Sequence, residues 1–371
     1  KKDLTTGNII KTMLIFAGPM IIGNLLQQFY NIADTLIVGR FVGADAMASV
    51  GAAYTLMTFL TSILIGLCMG SGSLVSFYFG KQDKEKMEVC VQGSFLLIGG
   101  VTVVINVLVF VFINQILRIL QIPAEILEMS HEYVKIIFAG IFFVFLYNYY
   151  AYLLRSIGNS VIPLVFLGTT SILNVVLDII FVVTFGWGIG GAAQATVISQ
   201  AISGVGISIY VWIKEPVFRL RLFGKNRIFL TGESMQEITR FSFAASIQQS
   251  VMNLGILMIQ GLVNSFGVAV MAAFTAAVKI DSFAYMPAQE FGNAFSLFIS
   301  QNHGAGKENR IQKGTRQAFV VSALFCGVIS VLVFLLAKNL MLFFVSSSDT
   351  EIIQIGAGYL RIEGAFYIGI G

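Results

Sequence analysis

The chain has 371 residues, of which 57% are hydrophobic and only 11% are charged, with a formal net charge of +4. Its mean hydropathy is +0.85, whereas soluble domains are typically about 45–50% apolar and about 25% charged. These values exclude an ordinary water-soluble fold and indicate an all-α integral membrane protein. The three cysteines have no metal-binding spacing and no nucleotide-binding loop is present, so we expect no cofactor and no nucleic-acid partner.

Ten apolar runs are each long enough to cross a bilayer, which takes roughly 20 predominantly apolar residues per helix. They cover 13–38, 46–79, 91–117, 132–153, 162–184, 190–213, 239–263, 268–302, 317–345 and 352–371. We refer to them as predicted helices one to ten. Helices two and eight exceed the thickness of a bilayer, so we expect them to tilt or to extend beyond the lipid.

The distribution of positive charge predicts the orientation of these helices. Most of the 23 Lys and Arg residues fall on the side of the N-terminus when the runs are threaded alternately across a membrane. The positive-inside rule then places the N-terminus in the cytoplasm of a multi-pass cell-membrane protein. The longest hydrophilic stretch, 214–238, is predicted to be a cytoplasmic linker. It separates an N-lobe, residues 1–213 with helices one to six, from a C-lobe, residues 239–371 with helices seven to ten.

A weak internal repeat supports this division into halves. A shift of 224 residues places Gly43 on Gly267 and Gly80 on Gly304, and a shift of 226 places Tyr133 on Tyr359. Two lobes of six helices each would have the same orientation, which makes the repeat parallel. The first half continues for two helices beyond the point that matches residue 371. We therefore expect ten of twelve helices to be present and the chain to be truncated at its C-terminus.

Acidic side chains inside predicted helices mark candidate functional residues, because a charge at the bilayer centre costs at least about 2.5–3.5 kcal/mol. Asp34 lies in helix one and Asp178 in helix five. Asn174 precedes Asp178 by four residues, so the two share a helix face, and Thr196 adds a hydroxyl from helix six. Such oxygen ligands suit Na⁺ or a shared proton, and apolar surroundings favour a protonated carboxyl group. A satisfied network of interhelical hydrogen bonds remains the alternative interpretation.

Helix eight carries a second polar set, which comprises Asp281, Tyr285, Gln289 and Glu290. It is a candidate substrate site or C-lobe polar site. Glu290 could bind a cationic substrate or only balance the charge of Lys279. Hydrogen bonding between helices is an equally good explanation for the uncharged members.

Several stretches resemble the multidrug and toxic compound extrusion (MATE) transporters in order and spacing. The matching stretches are Gly18-Pro19, Ala33-Asp34-Thr35, Gly43 to Ala48, Phe79 to Asp83, Arg155 to Gly158, Asn174 with Asp178, Gly190 to Thr196, and Gln301 to Gly306. Together they span essentially the whole chain. The resemblance implies a V-shaped, two-lobe antiporter whose lobes alternate between inward and outward openings.

The resemblance also implies functional residues. The family's N-lobe cation site would fall on Asp34, Asn174, Asp178 and Thr196, with Asn148 as a fifth member. Helix seven has no intramembrane acid, a departure from some relatives that favours coupling through the N-lobe. The implied activity is export of small organic, cationic drugs from a monomer in exchange for H⁺ or Na⁺.

Three other classes of protein compete with this prediction. A lipid or lipid-linked oligosaccharide flippase has a related architecture, but the buried charges here are mainly acidic rather than phosphate-binding. A membrane-embedded enzyme would need a catalytic or metal motif, and the sequence contains none that can be recognised. A channel or receptor is less consistent with ten helices arranged as a parallel repeat.

Overall fold

A computed structural model describes residues 2–120, 122, 124–221, 230–264, 266, 268–343 and 349–367. Within these ranges the chain is helical and contains no strand. The helices are α1 (Ile9–Phe41), α2 (Ala44–Gly80), α3 (Lys84–Ile119), α4 (Leu127–Ala139), α5 (Ile141–Ser156), α6 (Val161–Asp178), α7 (Gly188–Lys214), α8 (Gly232–Asn264), α9 (Val268–Gly304), α10 (Glu308–Met341) and α11 (Thr350–Ala365).

Each of the ten predicted helices corresponds to a helix or a bent pair of helices in this fold. The fourth is divided at Gly140 into α4 and α5, which are bent by 46°. A β-carbon at Gly140 would lie 2.8 Å from Cγ1 of Val197, so a glycine is needed where α7 approaches the bend. Predicted helices five to ten are therefore α6 to α11. Helix α8 begins at Gly232, within the stretch 214–238 that the sequence predicts to be a linker.

Membrane-spanning character is strongest in the N-lobe. In the described ranges α1, α2, α3, α6 with the turn after it, α7 and α10 are long and apolar enough to cross a bilayer, and α4 with α5 forms a seventh candidate. Helices α8 and α9 are also long, but polar residues such as Gln248 and Lys279 lower their hydropathy. Helix α11 has 16 residues in the described range.

The predicted parallel repeat is confirmed by the helix boundaries. A shift of 224 residues moves both ends of α2, Ala44 and Gly80, onto both ends of α9, Val268 and Gly304. The same shift moves the start of α3 onto the start of α10. The helices therefore repeat in order, length and direction, which is the arrangement of two lobes related by a parallel repeat.

Three apolar clusters describe how the lobes pack. One large cluster fills the N-lobe, which contains α1 to α7, and reaches Ile238 of α8. A second cluster joins α9, α10 and α11 in the C-lobe. The third lies between the lobes, where Met13, Phe16 and Met20 of α1 contact Phe291 and Phe298 of α9. Helix α2 also packs along α8 and α9. We call this interlobe contact the seam.

The seam is concentrated at one end of the molecule, formed by the N-terminal segment and the α2–α3, α5–α6 and α9–α10 turns. We call it the basic end, because these segments carry Lys81, Lys84, Lys307 and Arg310. Here Gln301 accepts a hydrogen bond from the Leu4 amide at 2.9 Å and donates to the Ser156 carbonyl at 3.2 Å. The guanidinium of Arg310 also donates to the carbonyls of Leu4, Thr6 and Gly7.

Two glycines related by the repeat bring the lobes together at this end. A β-carbon at Gly80 would collide with the main-chain carbonyl of Gln301. A β-carbon at Gly304 would collide with the carbonyl of Phe77, which is the repeat partner of Gln301. Phe29 and Phe283 also contact each other across the lobes, with ring centroids 5.6 Å apart. The interlobe hydrogen bonds of Leu4 with Gln301 and of Ser71 with Ser242 lie nearer to the basic end than this ring contact, which fits a V-shaped molecule whose lobes are joined at that end.

Candidate functional site

The N-lobe contains a pair of facing carboxyl groups. Asp34 is 7% exposed on α1 and Asp178 is fully buried at the last residue of α6. The chain leaves the α-helical geometry immediately after Asp178, because Ile179–Thr184 forms a π-helix. Such π segments are frequent at functional sites. The carboxyl groups of Asp34 and Asp178 are close enough to interact electrostatically.

Protein donors do not satisfy this pair. Oδ1 of Asp34, both carboxyl oxygens of Asp178 and Oδ1 of Asn174 are buried and accept no hydrogen bond from a protein donor in the described residues. Two ionised carboxylates about 4 Å apart repel each other by about 4 kcal/mol at an effective dielectric constant of about 20. The arrangement can therefore be relieved by a shared proton or by a bound cation. Oxygen ligands of this type suit a hard ion.

The other predicted members differ in how closely they join the pair. Asn174 is 2% exposed and Thr196 8% exposed, and Nδ2 of Asn174 donates to Oγ1 of Thr196 at 3.4 Å. This contact links α6 to α7 beside Asp178. Asn148 donates instead to the carbonyl of Val144 on its own helix at 2.9 Å. Its participation in the site stays a prediction.

One neighbour of the pair was missed by the sequence analysis. Tyr133 of α4 is buried, and it interacts electrostatically with Asp34 and Asp178. A signal was present in the repeat, which matches Tyr133 to Tyr359. In the C-lobe, Tyr359 interacts electrostatically with Glu363 and with Asp281.

The C-lobe holds its own carboxyl cluster. Asp281 of α9 and Glu363 of α11 interact electrostatically, and Tyr367 interacts electrostatically with both acids. The sequence analysis selected Asp281 but not Glu363 or the two tyrosines as site residues. Both lobes therefore place acids beside the same repeat-related tyrosine position, in the interior of each helix bundle.

Glu290 belongs to the seam rather than to the C-lobe cluster. Its Oε1 accepts hydrogen bonds from Nδ2 of Asn24 at 2.9 Å and from Nδ2 of Asn293 at 3.2 Å. Its Oε2 is buried without a hydrogen-bond partner in the described residues. Arg155 of α5 is a charged neighbour that interacts with it electrostatically. Lys279 is exposed, and no ion pair joins it to Glu290 in the described residues.

Tyr285 and Gln289, the remaining members of the set on predicted helix eight, which is α9, form a third group. The Tyr285 hydroxyl donates to Oε1 of Gln289 at 2.7 Å, one turn further along α9. Both side chains also approach Sδ of Met252 on α8, at 3.8 and 3.9 Å. The four residues that sequence spacing grouped together thus face three separate surroundings.

Comparisons with known proteins agree with this architecture. The family model described as MatE matches residues 19–180 and 242–371. The chain is 31% identical over 369 residues to a probable multidrug resistance protein, YpnP of Bacillus subtilis, covering 100% of this chain and 81% of that protein. It is 27% identical to a probable multidrug resistance protein, NorM of Thermotoga maritima, covering 96% of this chain and 76% of that protein.

Solved structures show the same fold. A transporter of the MOP superfamily from Pyrococcus furiosus superposes with a TM-score of 0.90 at 24% identity, covering 98% of this chain and 80% of that one. A multidrug resistance MATE family transporter in an outward-facing conformation has the same score, identity and coverage. These likenesses, the two-lobe helical fold and the family match lead to one assignment: the chain belongs to the multidrug and toxic compound extrusion (MATE) family of membrane transporters.

Proposed function

We propose that this transporter exports small organic cations in exchange for H⁺ or Na⁺, and that Asp34 and Asp178 bind the coupling ion. The observation that carries the proposal is the contact between two buried carboxyl groups that lack a protein donor. Neutralising the pair with a proton or Na⁺ removes a repulsion of several kcal/mol. An ion that binds one arrangement of the lobe more tightly than another shifts the equilibrium between them.

The predicted substrate class follows from the sign of the buried charges. Asp34, Asp178, Asp281, Glu290 and Glu363 place acidic groups inside the helical bundles. A cationic substrate gains favourable electrostatic energy near such groups, and loses it when protons or Na⁺ neutralise them. The names of the multidrug resistance relatives are consistent with a small organic molecule as cargo.

The proposed orientation has the basic end in the cytoplasm. The positive-inside rule supports this placement, because basic residues cluster in the turns of that end. Lobes that are joined there and separated at the opposite end would then expose their interior to the outside. We further propose that the protein acts as a monomer in the cell membrane, since the N-lobe and the C-lobe of one chain pack against each other along the seam.

The test is ethidium efflux from right-side-out membrane vesicles that contain the protein, driven by an imposed pH gradient or, separately, by an imposed Na⁺ gradient. The wild type should transport under at least one gradient, which identifies the ion. Asp34→Asn and Asp178→Asn should each reduce gradient-driven efflux at least about tenfold, because each removes one ionisable group of the pair. Asp45→Asn, an exposed acid at the start of α2, is the matched control.

Two results would contradict the proposal. Coupled efflux that persists in Asp34→Asn would show that the N-lobe pair does not bind the coupling ion. Absence of efflux under both gradients, with the wild-type protein present in the membrane, would argue for a flippase or for a substrate of another chemical class.

A further inference from the structure

A lateral pocket lies on the outside of the N-lobe, away from both carboxyl clusters and from the seam. It is formed by α3, α4 and α7, and its volume is about 510 Å³. Pockets that bind small molecules usually have volumes of about 300–1,000 Å³. Phe110 and Ile198 are each 39% exposed at its wall, so the pocket opens towards the surrounding lipid.

The lining changes from polar to apolar with depth. Counted from the ends of α4 and α7 opposite the basic end, Glu132, Gln194 and Lys135 lie about 8, 9 and 12 Å along their helices at a rise of about 1.5 Å per residue. Phe110 and Ile198 lie about 14 and 15 Å along α3 and α7. The polar groups are therefore nearer the water and the apolar groups nearer the bilayer centre.

Helix length places this change near the edge of the hydrocarbon. The 36 residues of α3, which is kinked at Phe112, span at most about 54 Å, whereas the hydrocarbon core is about 30 Å thick. A centred α3 would extend up to about 12 Å beyond the hydrocarbon at each end. Glu132 and Gln194 then lie at the headgroup level, Lys135 lies at the boundary, and the apolar lining faces the first part of the acyl chains.

The two charges of the pocket are available to a ligand. Glu132 and Lys135 are exposed and three residues apart on α4, yet they form no ion pair with each other or with any described residue. The carboxylate of Glu132 rests against Gly190 of α7, where a β-carbon would collide with its Oε1. The absence of a side chain at Gly190 therefore leaves room for the Glu132 carboxylate at the top of the pocket.

We propose that this pocket binds a zwitterionic phospholipid with a primary ammonium headgroup, namely phosphatidylethanolamine. Lys135 contacts the lipid phosphate and Glu132 accepts a hydrogen bond from the ammonium group, as charge-assisted pairs of this kind do. Gln194 contributes an uncharged amide, while Phe110, Val197 and Ile198 contact the start of an acyl chain. One positive and one negative group match a zwitterion better than a purely anionic headgroup.

This assignment makes a prediction that separates headgroups. Phosphatidylcholine has a quaternary ammonium without an N–H donor, so it cannot donate a hydrogen bond to Glu132. Phosphatidylglycerol has the phosphate but no cation, and the Glu132 carboxylate would repel it. Phosphatidylethanolamine should therefore bind at least about fivefold more tightly than either lipid.

The experiment is native mass spectrometry of the purified protein titrated with the three lipids separately. Glu132→Gln and Lys135→Gln should each weaken the affinity for phosphatidylethanolamine about tenfold, and Glu132→Gln should also remove its advantage over phosphatidylcholine. Ile198→Trp should displace the lipid by filling the apolar part without a change of charge. The matched controls are Glu128→Gln, an exposed acid one turn earlier on α4, and Lys338→Gln, an exposed lysine near the same end of α10.

Several outcomes would overturn the inference. The first is an equal loss of phosphatidylethanolamine affinity in the pocket variants and in the control variants. The second is tighter binding of phosphatidylglycerol than of phosphatidylethanolamine. The third is that the protein retains no more lipid than its bilayer-facing surface would retain without a specific site. Retained helical circular dichroism and a single peak in size-exclusion chromatography establish that each variant is folded. The result is independent of transport, because lipid retention is measured without a gradient or substrate.

Discussion

Closure of the basic end should depend on the two repeat-related glycines of the seam. We consider Gly80→Ala and Gly304→Ala. In each variant the new methyl group would overlap a main-chain carbonyl of the other lobe, on Gln301 or on Phe77. A helical carbonyl cannot rotate away as a flexible side chain can, so the two helices must separate for the methyl group to fit.

The expected magnitude follows from the cost of overpacking, which is about 1–3 kcal/mol when a methyl group is forced into a filled contact. Since about 1.4 kcal/mol is a tenfold change in an equilibrium constant, the ratio of joined to separated lobes should fall by about 5- to 150-fold. Alanine also favours a helix over glycine by about 1 kcal/mol. That gain in helix stability is the same whether the lobes are joined or separated, so it leaves the ratio of joined to separated lobes unchanged.

The assay uses a disulfide across the seam. The hydroxyls of Ser71 and Ser242 are 2.7 Å apart, so Ser71→Cys with Ser242→Cys should cross-link readily when the basic end is closed. The three native cysteines are buried and would be replaced by alanine. Gly80→Ala and Gly304→Ala should slow cross-linking to a similar extent.

The controls are glycines with open space. No atom lies within 4 Å of a β-carbon built on Gly100 or on Gly327, one in each lobe. Gly100→Ala and Gly327→Ala should cross-link at the rate of the parent protein. Parent-like cross-linking in a folded Gly80→Ala or Gly304→Ala variant would refute the idea that these glycines permit closure.

Three further predictions use other contacts of the described residues. Asn24→Leu removes the interlobe hydrogen bond to Glu290. It should lower the rate of disulfide cross-linking between positions 71 and 242 about tenfold, because hydrogen bonds to charged groups contribute about 1.5–3 kcal/mol. An equal loss in Asn293→Leu, whose hydrogen bond to Glu290 lies within α9, would contradict an interlobe role for Asn24. Arg310→Gln removes the donors that hold Leu4, Thr6 and Gly7, so hydrogen exchange of residues 4–7 should accelerate at least about tenfold, whereas exposed Arg316→Gln should have no effect. Tyr133→Phe should raise the concentration of coupling ion needed for half-maximal efflux, and a matching change in Tyr210→Phe would show that the effect is not specific to the carboxyl pair.

The sequence predicted the helices well because hydropathy directly reports which segments can be buried in lipid. It did not predict the bend at Gly140, since a glycine in an apolar run is equally compatible with a straight helix. It also did not predict the π-helix after Asp178, because Ile179–Thr184 is as apolar as the helix before it. Both features depend on packing against α7, which hydropathy does not describe.

The candidate site was predictable only within single helices. Periodicity placed Asn174 and Asp178 on one face, but bringing Asp34 to Asp178 requires the packing of α1 against α6. The division of helix eight was accessible from periodicity, because nine residues at about 100° each place Asp281 and Glu290 on opposite faces of α9. One face contacts α11 and the other contacts α1. Grouping the two acids by proximity in sequence concealed this difference.

Helices α1 and α9 provide a direct physical connection between the carboxyl clusters and the seam. Asp34 and Asn24 are ten residues apart on α1, and Asp281 and Glu290 are nine apart on α9, so each pair spans about 14–15 Å. Asn24 and Glu290 bond to each other across the lobes. If Asp34 takes the coupling ion as proposed, its neutralisation can reach the seam by moving or bending α1. Helix α1 contains Pro19 between the basic end and Asn24, and a proline removes one helical hydrogen bond. Bending at that position would disturb the Asn24–Glu290 contact while leaving the N-terminal contacts of Gln301 and Arg310 in place, so ion binding should loosen the middle of the seam before its base.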